Sequence, residues 1–139
     1  MAYISQDDKK ELAPQIKAVL KKYDMKGSIG INHYSSLVVN LAGGALDLIG
    51  DAQKHNDDHA AWRGQESHQI GDNYQVNTCY ADEHAVDPTV ATFFKELIAA
   101  MKGMSWYNNT DAQIDYFDIA YYLNVNVGKW NKPYVHYVV

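Results

Sequence analysis

The chain has 139 residues, 47% of them hydrophobic and 12% aromatic, and a formal charge of −5. That is the size of one domain, here residues 1–139, with enough apolar surface for a core. It excludes a disordered segment, which lacks the burial needed to offset chain entropy. With Cys79 as its only cysteine, the chain has no intrachain disulfide and no cysteine zinc cluster.

The acidity is uneven. Residues 1–26 hold six lysines against four acids, whereas residues 27–139 hold six basic residues against thirteen acids. Net negative charge disfavours nucleic acid, which needs a positive surface. The N-terminal lysines therefore read as a solvated helix face, with a nucleic-acid surface of Lys9, Lys10, Lys17, Lys21 and Lys22 as the alternative. The first ten residues turn polar at once, without the apolar core of a secretory signal, and no apolar run approaches the ~20 residues that span a bilayer. A cytosolic address without membrane contact is expected.

Taken in chain order, Leu12, Ile16, Val19, Leu20 and Tyr23 form a helical stripe preceded by a capping box of Ser5 and Asp8. Pro14 interrupts it, which predicts a short turn at about 5–12 and a helix at about 14–23. Residues 28–34 and 37–41, separated by a turn near Ser35 and Ser36, predict a β-hairpin with Ile29, Ile31, Leu37, Val39 and Leu41 on one side. Residues 45–72 carry no clear period. Their start reads as a helical turn or short strand and the remainder as a surface loop or loose helix.

Residues 73–80 predict a third strand. Asp87 and Pro88 form a helix start, and Val90, Phe93, Phe94, Leu97, Ile98 and Met101 form the strongest apolar stripe of the chain, ended by Gly103. Residues 116–127 alternate, with Phe117, Ile119, Tyr121, Leu123, Val125 and Val127 on one side. Twelve residues is long for one strand, so a bend or two strands is expected there. Residues 128–133 read as a turn. Residues 134–139 read as a terminal strand, either internal or an edge offered to a second copy in a homo-oligomer. The expected fold is α+β, an antiparallel sheet of about four to five strands with helices packed on one face.

Several of these segments carry a resemblance. Asp8-Lys-Lys-Glu-Leu-Ala-Pro14, Ile16-Lys-Ala-Val-Leu-Lys-Lys-Tyr23 and Lys26-Gly-Ser-Ile-Gly30 resemble the start of the large polyvalent protein-associated domains of phages and conjugative elements. Tyr116-Phe-Asp118, Tyr121-Tyr122 and Asn126-Val-Gly-Lys-Trp-Asn-Lys-Pro-Tyr134 resemble the end. The resemblance covers about 4–50 and 115–134 and leaves the acidic, histidine-rich centre unmatched. It implies an α+β module of a mobile element that counters or rewires a host system. It supplies no catalytic motif, so no residue takes a role from it.

Four constellations carry candidate chemistry. Asp51, His55 and His59 are spaced by four, share a helix face and are the candidate metal ligands, although the Glu of His-Glu-x-x-His is missing. Cys79 with His84 is a candidate thiolate pair, set against a buried or semi-buried inert thiol. Asp115 and Asp118 with Asp82 and Glu83 form a candidate carboxylate cluster for Mg²⁺. The fourth is a surface. Asn32, Asn40, Asn77, Asn124 and Asn126, with Gln75, Tyr34 and Tyr122, fall opposite the apolar side of the predicted strands. Asparagine is a poor strand residue, so five on one face are unexpected; they suit an uncharged recognition surface, although ordinary polar residues on a wet sheet account for them slightly better. The expected function is therefore a non-enzymatic accessory protein that binds a host or self protein without a cofactor. The alternative is a metal-dependent enzyme with a His/Asp site in 47–87.

Overall fold

A computed structural model describes residues 2–104, 106–108, 119–129 and 131–136. The fold is α+β: a five-stranded sheet with α1 (Gln6–Lys22) and α4 (Pro88–Lys102) against one face. The strands are β1 (Met25–Asn32), β2 (Ser36–Gly44), β3 (Tyr74–Val76), β4 (Tyr122–Val127) and β5 (Val135–His136). Helices α2 (Leu48–Arg63) and α3 (Ala81–His84) lie between β2 and α4 in the chain.

The sheet is mixed, which corrects the purely antiparallel expectation. Its order is β1-β2-β4-β3; β1/β2 and β3/β4 are antiparallel, whereas β4 and β5 both run parallel to β2. A hairpin connection forces reversal, but the segment from β2 to β4 contains three helices and leaves strand direction free.

Helix α1 is continuous, so Pro14 does not divide it. The proline lies on the exposed side of the helix, where the carbonyl it orphans one turn back can meet water. The Ser5 and Asp8 capping box forms as expected, with Asp8 N–H donating to Ser5 Oγ at 3.1 Å. Residues 48–63 form a regular helix, not a loose one. Asp47 caps it through Gly50 N–H at 3.0 Å, and Gly64 ends it in the left-handed conformation at φ 69°. Only Leu48 of this helix is buried, so no apolar stripe marks it in the sequence.

Helix α4 follows its pattern. Asp87 caps it, Gly103 ends it, and Val90, Phe93, Phe94, Leu97, Ile98 and Met101 are buried. They meet Leu37, Val39 and Leu41 of β2 and Val125 and Val127 of β4 in one core. Two tyrosines brace this core with their hydroxyls. Tyr121 donates to the Met101 and Lys102 carbonyls at 2.5 and 2.8 Å, closing the end of α4, and Tyr134 donates to the Leu46 carbonyl at 2.5 Å. Burial pushes the Tyr121 phenol up to about 12.

The expected third strand is only three residues long. The Asn77 side chain accepts from Cys79 N–H at 3.1 Å, and this local turn ends the ladder at Val76. Of the long alternating segment, β4 holds 122–127, and Ile119 makes an isolated bridge with Asn108. Phe117 and the candidate carboxylates Asp115 and Asp118 lie outside the described residues, as do 137–139 of the terminal strand. Among the described residues no helix is long and apolar enough to cross a membrane.

Candidate functional site

The register places most of the predicted amides together. Asn40 pairs with Asn126, Val38 with Asn124, and Ser36 with Tyr122, on the side away from Leu37, Val39 and Leu41. Asn32, opposite Ser36 at the end of β1, shares that side. Gln75 joins it from β3, opposite Asn126. The amides interlock: Asn126 Nδ2 donates to Asn40 Oδ1 at 3.0 Å, and Gln75 Nε2 reaches Asn124 Oδ1 at 3.4 Å. Asn77 does not belong to the set, because the turn it initiates carries it off the sheet.

One end of this face gathers tyrosines. Ile4 N–H donates to the Tyr34 carbonyl, Tyr3 N–H to the Ala120 carbonyl, and Tyr122 N–H to the Ser35 carbonyl. Tyr3, Tyr34 and Tyr122 are thereby held near the hairpin tip, exposed by 61%, 75% and 47%. Tyr34 sits in the tip at φ 57°, and was expected on the sheet itself. The tyrosine cluster escaped sequence reasoning because it depends on how residues 3 and 120 dock on the tip. The tyrosine-rich composition was its only signal.

The histidine site forms differently from a metal centre. Asp51, His55 and His59 do share one face of α2, but both Asp51 oxygens accept from Val86 N–H at 3.1 Å, and Oδ1 also accepts from Asp87 N–H at 2.7 Å. Asp51 thus pins the entry of α4. Its replacement in Asp51→Ala should cost about 1–2 kcal/mol in urea denaturation, the usual loss for a helix-start acceptor. An unchanged midpoint would show that water serves those amides equally well.

The imidazoles stack instead of converging on a point. His55 lies 4.8 Å from His84 and 6.1 Å from His59, ring centre to ring centre. Tyr80 extends the stack beyond His84 at 5.8 Å, and Trp62 extends it beyond His59 at 6.2 Å. No group of three His, Cys, Asp or Glu among the described residues is placed to hold a metal ion. Burial, then the neighbouring His84 and His59, hold His55 below its ordinary pKa, so the ring is neutral at pH 7. Cys79 is exposed in the turn, not buried, while His84 is committed to the stack.

Beneath the stack lies a cavity of about 150 Å³ between α2, β3 and α3. Ala52, Ala81, Ala85, Val76, Ile70 and Phe94 supply its apolar wall. Gln53 fixes the loop that brings Ile70 there. Its Oε1 accepts from Ile70 N–H at 2.9 Å, and its Nε2 donates to Asp57 Oδ1 at 2.9 Å and to the His68 carbonyl at 3.1 Å. Burial pushes the Tyr74 phenol at the cavity edge up, so it remains protonated.

Of the candidate basic surface, Lys10, Lys17, Lys21 and Lys22 are exposed, and Lys22 is paired with Glu96 at 2.7 Å. No family model, curated protein or solved structure matches this chain.

Proposed function

We propose that this chain is a non-enzymatic accessory protein that acts by binding a protein partner through the outer face of its sheet. The observation that carries the reading is the composition of that face: interlocked amides of β2, β3 and β4 ending in three exposed tyrosines, without a lysine or acid among them. Tyrosines offer large contact area at low entropy cost, and uncharged amides are cheap to desolvate compared with ions. The carboxylate that metal chemistry would recruit, that of Asp51, is occupied by the backbone amides of Val86 and Asp87. The resemblance of both chain ends to phage and conjugative-element domains supports a mobile-element setting, with a host or self protein as partner.

The test compares two substitutions of the same chemistry. Asn124→Lys places a charge within the face, and Asn77→Lys places one on the turn beside it. Affinity capture from host lysate, quantified by mass spectrometry, should show the Asn124→Lys protein losing its partner by roughly tenfold, as expected when an interface buries an unpaired charge. Asn77→Lys should retain it, with a melting temperature lowered slightly by the loss of the turn bond to Cys79 N–H and that of Asn124→Lys close to the parent's. Equal capture by the parent and Asn124→Lys would overturn the assignment.

A further inference from the structure

We propose that the cavity between α2, β3 and α3 binds a single planar, uncharged heteroaromatic ring of pyrimidine size, as a free base or nucleoside. The volume, about 150 Å³, suits one six-membered ring, since dry cavities of that size hold benzene. The space exists because three alanines, Ala52, Ala81 and Ala85, stand where larger side chains would fill it.

The polar atoms around the cavity select against a plain hydrocarbon. The Tyr74 hydroxyl makes no hydrogen bond among the described residues. Among the described residues Asn77 uses only its Oδ1, leaving Nδ2 as a donor, and Asn56 only its Nδ2, leaving Oδ1 as an acceptor. These residues line one cavity with His55 and His84, whose ring nitrogens also have no protein hydrogen bond among the described residues. Donors and acceptors around one cavity suit the carbonyl and N–H groups of a pyrimidine, whereas a hydrocarbon would strip them of water without replacement. The Asp51 carboxylate beside the cavity is already consumed by backbone amides, so it does not call for a cation. Asp58 on α2 acts electrostatically on the cavity residue His55, and this negative charge opposes a phosphate backbone and points to a free base or nucleoside.

The experiment is titration of the full chain with uracil, uridine, benzene and a single-stranded oligouridine, read by backbone amide NMR shifts. Uracil and uridine should bind with Kd on the order of 0.1–1 mM, reasonable for a ligand of this size, and shift residues 74–85. Ala52→Leu fills the cavity; it should weaken uracil at least tenfold without lowering the melting temperature. The proposal is overturned if uracil produces no clustered shifts at ten times that Kd, or if benzene binds as tightly. It is equally overturned if oligouridine binds more tightly than uridine, or if Ala52→Leu folds normally and still binds uracil unchanged. Should Ala52→Leu fail to fold, Asn77→Ala provides the same comparison at the cavity edge, with the same tenfold loss expected and unchanged uracil affinity overturning the proposal.

Discussion

Phe93→Ala should destabilise the fold by about 3–5 kcal/mol, the usual cost of emptying a buried aromatic site. Phe93 is wholly buried on the inner face of α4. Its ring meets Tyr23 at the end of α1 edge-on at 5.3 Å and Phe94 at 5.4 Å. The side chain therefore joins both helices above the sheet, and neighbours fixed in two helices cannot collapse into the space it leaves. A domain of this size has roughly 5–15 kcal/mol of total stability, so the variant should lose a large share of it. Urea denaturation followed by far-UV circular dichroism gives the difference. Phe93→Leu, which keeps most of the volume, should lose less. A loss below about 1 kcal/mol for the alanine variant would remove Phe93 from the core.

Gly128→Ala should cost about 2–4 kcal/mol, from two additive causes. The residue has φ 69°, a left-handed conformation that charges a non-glycine residue about 1–2 kcal/mol. A Cβ there would also stand 2.6 Å from Tyr134 N and 2.9 Å from the Asp72 carbonyl oxygen. Those two atoms are hydrogen-bonded to each other at 3.0 Å, so the methyl group would break the bond that ties the approach to β5 to the start of β3. Gly64 provides the control: its φ is also 69°, but open space surrounds it. Gly64→Ala should show the conformational cost alone. Equal thermal and urea midpoints for the two variants would mean that the crowding at Gly128 relaxes without energetic consequence.

The contrast between α4 and α2 explains which parts of the fold were legible. Helix α4 buries one continuous stripe against a sheet, so its 3.6-residue period, its Asp87 cap and its Gly103 stop all point the same way. Helix α2 buries little beyond Leu48. It is held by its caps and by polar contacts from Asp51, Gln53 and Asn56 to segments up to 36 residues away. Such contacts leave no periodic trace, and the segment reads as a loop. Pro14 misled in the opposite direction: its cost is real, but the rest of α1 outweighs it, and the helix runs through with the proline on the exposed side.

The candidate sites divide in the same manner. Strand alternation brought Asn40, Asn124, Asn126, Asn32 and Tyr122 to one side whichever way the strands ran, because a period of two is independent of strand direction. Asn77 fell away because a side-chain turn ended its strand one residue earlier. The four-residue spacing of Asp51, His55 and His59 correctly implied a shared helix face, but the face alone did not determine what each side chain would meet. Asp51 met the amides of Val86 and Asp87, and His55 met His84.

By itself, then, the amino-acid order determined the α+β class, the apolar faces of α4 and β4, and the polarity of the opposite sheet face. These follow from local periodicity, and burial acts on every residue of such a pattern. Tertiary structure alone decided the parallel pairing of β2 with β4, the tyrosine cluster at the hairpin tip, and the imidazole stack over a cavity. Each depends on side chains or strands brought together across dozens of residues, where the partner is selected by how the helices dock and not by any spacing along the chain.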